Sequence, residues 1–248
     1  MIRDAASLPR LRDRARRLLV VLPHPDDESY GCAGTLARVG ADPRAATAVF
    51  TLTRGEASSI GPERGLAPEA VAALRSRRME EVARILGLDA LLLGDLPDGG
   101  LDRVPLDALG GAIAAVIDAL RPQVVIGHDP RGVNAHLDHV AGHWATRHAL
   151  LAFPGVRFAM LAYTPDVVEH VKPRLLFPTP DEEIDAEVRL APAEIDAKEA
   201  CLRVHEAIAT LKPEHADGRT VLRPAVERYD FLGETRTPPA ADLFDGLA

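Results

Sequence analysis

Three residues that can bind a metal or move a proton follow the first long apolar run of the chain. The run is Leu18–Leu22, and His24, Asp26 and Asp27 come shortly after it. In open α/β sheets, ligands bind at the carboxyl ends of strands. An imidazole and one carboxylate can bind a metal while the adjacent carboxylate accepts a proton. The alternative is a helix start, where acidic residues favour the first turn, but that alternative leaves His24 unexplained.

Histidine and aspartate residues recur after a second apolar run, Val124–Ile126. The residues in this second cluster are His128, Asp129, His136, Asp138 and His139. His136 and His139 are three residues apart, so they share one face if this segment is helical. Imidazole and carboxylate are suitable ligands for Zn²⁺, and a catalytic zinc site keeps three protein ligands and one open position. The two clusters together predict a metal-dependent site.

The elements that must position these clusters are read from hydrophobic patterning. The candidate strands are Leu18–Leu22, Ala46–Leu52, Ala90–Leu93, Val124–Ile126 and Arg157–Ala162. The candidate helices are Gly34–Gly40, Pro68–Leu86, Pro105–Leu120, Asp138–Ala152 and Pro192–Leu211. This alternation predicts an α/β fold, a Rossmann-like three-layer sandwich with a mostly parallel sheet. No glycine-rich phosphate loop follows the first strand, so a dinucleotide is not implied.

The chain organisation predicts one catalytic domain over residues 1–248. Residues 1–16 are interpreted as an N-terminal extension and residues 234–248 as a peripheral, poorly ordered tail. Residues 58–67 contain two glycines and a proline and are interpreted as an active-site loop.

Composition narrows the class of protein. With 248 residues, 47% hydrophobic and 27% charged, the chain is long enough for one α/β domain and is not of disordered type. Its net charge of −8 argues against nucleic acid as a partner. Two cysteines make no disulfide framework and favour a reduced, cytoplasmic setting. No apolar segment is long enough for a membrane span, so no membrane partner is expected. Whether the chain forms a homo-oligomer is left open.

At this point the motifs resemble a known family. His24-Pro25-Asp26-Asp27-Glu28 followed by Gly31-Cys32-Ala33-Gly34-Thr35-Leu36 resembles the opening of the LmbE-like, or PIG-L, deacetylase superfamily. His128-Asp129-Pro130 with His136-Leu137-Asp138-His139 is similar to its second motif, and Thr51–Glu56 to a third. Lys198 and His205 are similar to a weaker C-terminal pattern. The resemblance covers roughly residues 17 to 210.

The resemblance implies roles for residues in both clusters. It assigns the metal ligands as His24, Asp27 and His139, with Zn²⁺ as the metal and Fe²⁺ as an alternative. It implies Asp26 as the general base and His136 as the residue that stabilises the oxyanion and protonates the leaving amine. Asp138 is expected to orient His136 and hold it charged; the alternative for Asp138 is an N-cap of the following helix.

Substrate contacts are expected from four residues: Arg54, Glu56, Arg75 and Asp129. An alternative role for Asp129 is to hold a metal-binding histidine in place. An alternative role for Arg54 is to form a surface salt bridge. The family commonly has Arg-x-x-Glu in the helix before the third strand; Arg75 matches the arginine, but Arg78 stands where the glutamate is expected. The residues after His205, beginning with Glu206, also depart from the family pattern.

These observations predict a zinc-dependent hydrolase that removes an N-acyl group, most often acetyl, from a small sugar-like or metabolite substrate. The amide chemistry rests on the clusters and the resemblance, whereas the sugar rests on the resemblance alone. One alternative is an amidase that cleaves a larger conjugate at the same site. Another is a non-catalytic metal- or ligand-binding protein on the same fold.

Overall fold

A computed structural model describes residues 5–169, 176–206 and 225–247. The strands are β1 (Arg16–Leu22), β2 (Ala45–Thr53), β3 (Ala90–Leu96), β4 (Val124–Gly127), β5 (Arg157–Ala162), β6 (Ala186–Arg189) and β7 (Val226–Phe231). The α-helices are α1 (Asp27–Gly31), α2 (Ala33–Gly40), α3 (Ile60–Arg64), α4 (Pro68–Ile85), α5 (Leu106–Leu120), α6 (Gly132–Ala135), α7 (Leu137–Leu150), α8 (Pro165–Glu169) and α9 (Pro192–Val204). Short 3₁₀ helices cover Ala5–Leu11, Leu101–Arg103 and Asp181–Glu183.

All seven described strands form one sheet in the order β3-β2-β1-β4-β5-β7-β6. Strands β1 to β5 pair in parallel, and β7 pairs antiparallel with both β5 and β6. Alternate side chains of β1 face opposite sides: Leu18 lies in a core shared with α2, α4 and α9, and Leu19 in a core shared with α5 and α7. The predicted three-layer α/β arrangement with a mostly parallel sheet is confirmed.

The order of the strands explains where a site forms. From β1 the chain continues outward through β2 and β3, whereas β4 lies on the other side of β1 and leads to β5. The order therefore reverses between β1 and β4, and ligands bind in the crevice beside the carboxyl ends of strands at such a reversal. The two histidine- and aspartate-bearing segments begin at these two strand ends.

Several element bounds differ from the sequence-based prediction. Strands β6 and β7 were not predicted. The segment 58–67, interpreted as a loop, contains α3. Helix α9 ends at Val204, and residues 207–211 of its predicted extent lie outside the described residues. In the part of the chain that is described, no helix combines the length and apolar composition needed to cross a bilayer.

The two ends of the chain pack more closely than predicted. Leu8 in the N-terminal extension is fully buried against the α5 side of the sheet. In the tail, Leu243 is 2% exposed and its carbonyl accepts a hydrogen bond of 2.5 Å from Arg157 on β5. Within the tail only Ala240 and Leu243 are buried among residues 234–247, so the segment lies at the periphery and is attached to the sheet at these points.

Candidate active site

The loop after β1 is held to the end of β2. The carbonyl of Pro23 accepts hydrogen bonds from the backbone N–H and the hydroxyl of Thr53, at 3.0 and 2.9 Å. The backbone N–H of His24 donates to the carboxylate of Asp27 at 2.9 Å. These contacts turn the chain at the strand end and direct both side chains toward the segment that follows β4.

His24, Asp27 and His139 bring three ligand atoms together. The Nδ1 atom of His24 lies 3.2 Å from Nε2 of His139, and each nitrogen lies near the Asp27 carboxylate, at 3.5 and 3.4 Å. A tetrahedral ion with bonds of about 2.0–2.1 Å separates its ligand atoms by roughly 3.3–3.4 Å. The separation of the two nitrogens is close to that value, and the Asp27 carboxylate faces both of them, with Oδ2 toward His24 and Oδ1 toward His139. These three residues therefore fit a metal ion.

The other nitrogen of each ring is hydrogen-bonded in a way that leaves the facing nitrogen free to bind a cation. His139 Nδ1 lies 3.0 Å from the carbonyl of Gly132, so Nδ1 carries the proton. Gly132 has φ +65°, and a Cβ there would lie 2.7 Å from that of His139, so only glycine fits. His24 Nε2 lies 3.1 Å from a carboxylate oxygen of both Asp98 and Asp138. Partners of this kind fix the ring orientation of metal-binding histidines.

Electrostatics favour a positive charge between these residues. Burial lowers the pKa of His24, but the neighbouring carboxylates, led by Asp138, raise it to about 12. Burial raises the pKa of Asp27, yet His139 and His24 hold it well below its usual value. The carboxylates around His24 therefore favour a cation at this place, which a proton or a metal ion can provide.

Asp26 lies beside the ligand cluster and points to a different partner. Its carboxylate is 2.8 Å from the guanidinium of Arg75, and its side chain is 32% exposed. Burial and the neighbouring Asp27 raise its pKa, and Arg75 opposes that rise. Arg75 also donates to the carbonyl oxygens of Pro25 and Gly55. Arg75 was expected to contact substrate; in the structure it holds Asp26 and the loops after β1 and β2.

His136 is exposed at the mouth of the cluster, with its ring centroid 4.8 Å from those of both His24 and His139. Its Nδ1 accepts the backbone N–H of Asp138 at 3.2 Å, which makes His136 the N-cap of α7. The remaining proton therefore lies on Nε2, where the ring can donate a hydrogen bond. Burial and the two neighbouring imidazoles lower the pKa of His136.

The expected role of Asp138 is corrected by its contacts. Its carboxylate accepts hydrogen bonds from the backbone N–H groups of Gly99 and Leu101, at 2.7 and 2.9 Å, and from His24. Its hydrogen bond to His136 runs through its backbone N–H. Asp138 therefore orients His24 and ties the loop after β3 to α7, while its charge still raises the pKa of His136. The N-cap of α7 is His136 and not Asp138.

Like Arg75, the other three expected substrate residues are engaged within the protein. Arg54 lies 2.5 Å from Asp95 in a surface ion pair, which is the alternative considered for it. Glu56 accepts the backbone N–H of Asp98 at 2.8 Å. Asp129 is buried, and its carboxylate accepts from Val133 N–H and Arg131 at 2.6 and 2.8 Å, so it shapes the loop after β4.

Two residues of the site were missed by the sequence analysis. Asp98 was not singled out, although it follows β3 at the same edge of the sheet, and that position was the available signal. Glu28 was named only as the last residue of the first motif and was given no role, but it is fully buried and lies 3.2 Å from His205. Burial raises the pKa of Glu28, and His205 more than offsets this, so its pKa is lowered.

His128 lies under the cluster, although the sequence left its role open. Its ring stacks on that of His139 with centroids 3.9 Å apart and an interplanar angle of 10°. It is buried, and burial together with the charge of His139 lowers its pKa well below the usual value. A neutral ring at this place supports the face of His139 by packing.

Comparison with known proteins shows that the sequence is similar to de-N-acetylases. The sequence model of the PIG-L family, described as GlcNAc-PI de-N-acetylase, matches residues 19–150. A 1D-myo-inositol 2-acetamido-2-deoxy-alpha-D-glucopyranoside deacetylase of Rhodococcus jostii (strain RHA1) is 30% identical over 88% of this chain and 91% of the relative. The deacetylase of the same name from Kineococcus radiotolerans is 33% identical over 61% of this chain and 49% of the relative.

A solved structure is similar as well. The conserved protein TT1542 from Thermus thermophilus superposes with a TM-score of 0.58 and 30% identity, covering 86% of this chain and 92% of that chain. The His and Asp residues that the family pattern singles out lie together at the reversal of strand order. The chain therefore belongs to the PIG-L family of metal-dependent de-N-acetylases and is a hydrolase of this type.

Proposed function

We propose that this chain hydrolyses the N-acetyl amide of a 2-acetamido-2-deoxyglucoside, with a glucosamine unit linked to an inositol-like polyol as the substrate class. The names of the relatives support the substrate class. The observation that carries the chemistry is the triangle of His24 Nδ1, the Asp27 carboxylate and His139 Nε2, with edges of 3.2 to 3.5 Å.

The proposed metal is Zn²⁺, with Fe²⁺ as the alternative, held by His24, Asp27 and His139. When bound, such an ion polarises an amide carbonyl and lowers the pKa of a bound water. Two nitrogens and one carboxylate oxygen match the donor sets of catalytic zinc sites, which leave one position open. The free, buried Cys32 and Cys201 support a reducing, cytoplasmic setting.

The proton transfers and the stabilisation of the oxyanion are proposed for the two residues that flank the ligands. Asp26 would take the proton of the attacking water, and its raised pKa suits a base that works near neutral pH. His136 would donate a hydrogen bond from Nε2–H to the oxygen of the tetrahedral carbon. Because its Nδ1 accepts the Asp138 N–H and carries no proton, the proton that reaches the leaving amine would be the one that Asp26 took from the water. Each such role is typically worth about 10²- to 10⁴-fold in rate.

The test is an assay of purified, zinc-loaded protein against N-acetylglucosaminyl-inositol and simple N-acetylated sugars, scored for free amine and acetate. We expect the inositol conjugate to be cleaved faster than free N-acetylglucosamine. Asp26→Asn, loaded with the same metal, is the control for a contaminating activity. No amine from any sugar amide, with metal bound in stoichiometric amount, would contradict the proposal.

A second candidate function is cleavage of a larger, more apolar amide conjugate at the same site. An open cavity of about 340 Å³ lies between α5 and α7, lined by residues that include Leu101, Leu137 and Trp144. Leu137 is 61% exposed and directly follows His136 in the chain. A higher kcat/KM for N-octanoyl than for N-acetyl glucosamine conjugates would favour this candidate, and the reverse order would exclude it.

A further inference from the structure

The backbone of Asp26 adopts a positive φ angle, which is unfavourable for a residue that has a Cβ atom. Its φ is 124° and its ψ is −24°, outside the regions that a residue with a Cβ normally occupies. A conformation of this kind costs on the order of 1–3 kcal/mol and persists only where the surroundings determine it. Groups that hold Asp26 in place must therefore be present nearby.

One of these groups is the carboxylate of Glu28. Its Oε2 atom accepts the backbone N–H of Asp26 at 3.1 Å, and its Oε1 accepts the hydroxyl of Ser29 at 2.5 Å. Glu28 is fully buried, so water does not compete for these bonds. Hydrogen bonds to an ionised acceptor are about twice as strong as neutral ones. Glu28 thus holds the backbone N–H of Asp26 and, through it, the backbone conformation from which the Asp26 side chain projects.

Glu28 is held in turn by a residue from the far end of the chain. Nε2 of His205, which directly follows α9, lies 3.2 Å from Oε1 of Glu28. His205 is itself only 8% exposed. The imidazole therefore orients the Glu28 carboxylate, because its contact with Oε1 leaves Oε2 directed at the backbone N–H of Asp26.

The position of His205 is fixed by the two residues that depart from the family pattern. Arg78 on α4 donates to the carbonyl oxygen of His205 at 3.3 Å and pairs with the carboxylate of Glu206 at 2.7 Å. Arg64 on α3 also pairs with Glu206. The two departures from the family pattern, Arg78 and Glu206, therefore form an ion pair with each other.

Helix α4 reaches Asp26 from the other side as well. Arg75, one turn before Arg78, holds the Asp26 carboxylate at 2.8 Å. The glycine at 55 is required there, because it has φ +70° and a Cβ would overlap the guanidinium of Arg75. Asp26 is therefore held at its carboxylate by Arg75 and at its backbone by Glu28.

We propose that Glu28 and His205 are positioning residues for Asp26, and that the Arg78–Glu206 pair locks His205 in this role. The kinetic part of this inference rests on the proposed function of Asp26 as the base. The chain of contacts keeps the carboxylate directed at the attacking water. None of the four residues is expected to contact substrate.

The first experiment does not depend on activity. Hydrogen exchange of the Asp26 amide is measured by NMR in ¹⁵N-labelled, metal-loaded protein. We expect the amide to be protected in the wild type and to exchange at least about tenfold faster in His205→Ala, which corresponds to a loss of about 1.4 kcal/mol in local stability. His205→Gln keeps a side-chain N–H donor and should restore part of the protection. Equal exchange in wild type and His205→Ala overturns the proposal.

The second experiment separates positioning from folding and from substrate binding. His205→Ala should lower kcat by up to about 10²-fold, the cost of a misplaced catalytic group, with KM and metal content unchanged. Glu206→Gln, a milder change, should act in the same direction and covers the case in which His205→Ala fails to fold. The control is Glu194→Gln, also on α9, whose carboxylate pairs with Arg38; it should leave kcat unchanged.

The outcomes distinguish this inference from the proposed function. If the wild type cleaves no sugar amide while the Asp26 amide responds to His205→Ala, the proposed function fails and the positioning contacts stand. If the wild type is active and Glu206→Gln and His205→Ala raise KM or lose metal at unchanged kcat, the positioning role is overturned. Reversal of both charges in Arg78→Glu with Glu206→Arg should recover more kcat than either single change.

Discussion

The carboxylate of Asp138 lies 3.1 Å from Nε2 of His24, although in the sequence it stands between His136 and His139. The contact joins the segment after β4 to the segment after β1, across 114 residues of chain. Asp138 is fully buried and also accepts two backbone N–H groups from the loop after β3. One carboxylate thus connects three strand ends and sets the orientation of a proposed metal ligand.

Asp138→Asn is expected to weaken metal binding. Asparagine cannot accept from His24 and both backbone N–H groups with equal strength, and loss of such a partner typically costs about 10- to 100-fold in metal affinity. Competition with a chromogenic chelator measures this change. Asp102→Asn, in the same loop region but not in contact with His24, is the matched control. Unchanged affinity in Asp138→Asn would show that the His24 contact is unimportant for the metal.

His139→Ala and His136→Ala are expected to differ, although the residues are three apart. His139 Nε2 belongs to the ligand triangle, so its removal should strip the metal. His136→Ala should retain the metal and lose about 10²- to 10⁴-fold in kcat. Elemental analysis after gel filtration distinguishes the two, with the surface variant His148→Ala as the control. A fully loaded His139→Ala protein would point to His136 as the third ligand.

Asp26→Asn is expected to keep the metal and lower kcat by at least about 10²-fold, since the amide cannot take a proton. The side chain keeps its size and its contact with Arg75, so KM should change little. Steady-state kinetics and metal content on the same sample provide the measurement. A metal-replete variant with substantial activity would remove Asp26 from the mechanism.

Asp230 on β7 is expected to make stability depend on pH. Burial and the neighbouring Asp185 raise its pKa from 3.8 to about 6. The folded state therefore binds a proton more strongly than the unfolded state, and stability falls as pH rises from about 4 through 6.

Asp230→Asn removes this unfavourable charge. The variant should raise Tm at pH 7.5 by about 2–4 °C, the shift that ~1 kcal/mol causes in a domain of this size. This is less than the full pKa shift implies, because the group is partly exposed and screened. At pH 4 the gain should vanish. Thermal unfolding at both pH values tests this, with the exposed Asp118→Asn as the control, and a gain that is equal at both would contradict the assignment.

Much of the fold was predictable because its signals are local. The apolar run of β1 and that of β4 are each followed by histidine and aspartate, and parallel strands bring such ends to one edge. The pattern of β7 was not recognised, because Glu227 looks like a surface residue. In the structure it is buried and lies 2.7 Å from the ammonium of Lys198, also buried. A pair this distant in sequence has no local signature.

Residue types and spacing were sufficient to predict a metal-dependent site from the two clusters of histidine and aspartate. The choice of His24, Asp27 and His139 as the ligands came from the family resemblance and stays a prediction. The partners of polar side chains were decided only by tertiary structure. Asp138 lies beside His136 in sequence but bonds His24, and Glu28 binds a histidine 177 residues away. The physical reason is that a hydrogen bond depends on a few tenths of an ångström and on direction. The packing of α4, α7 and α9 on the sheet determines these distances and directions, and the sequence pattern alone does not.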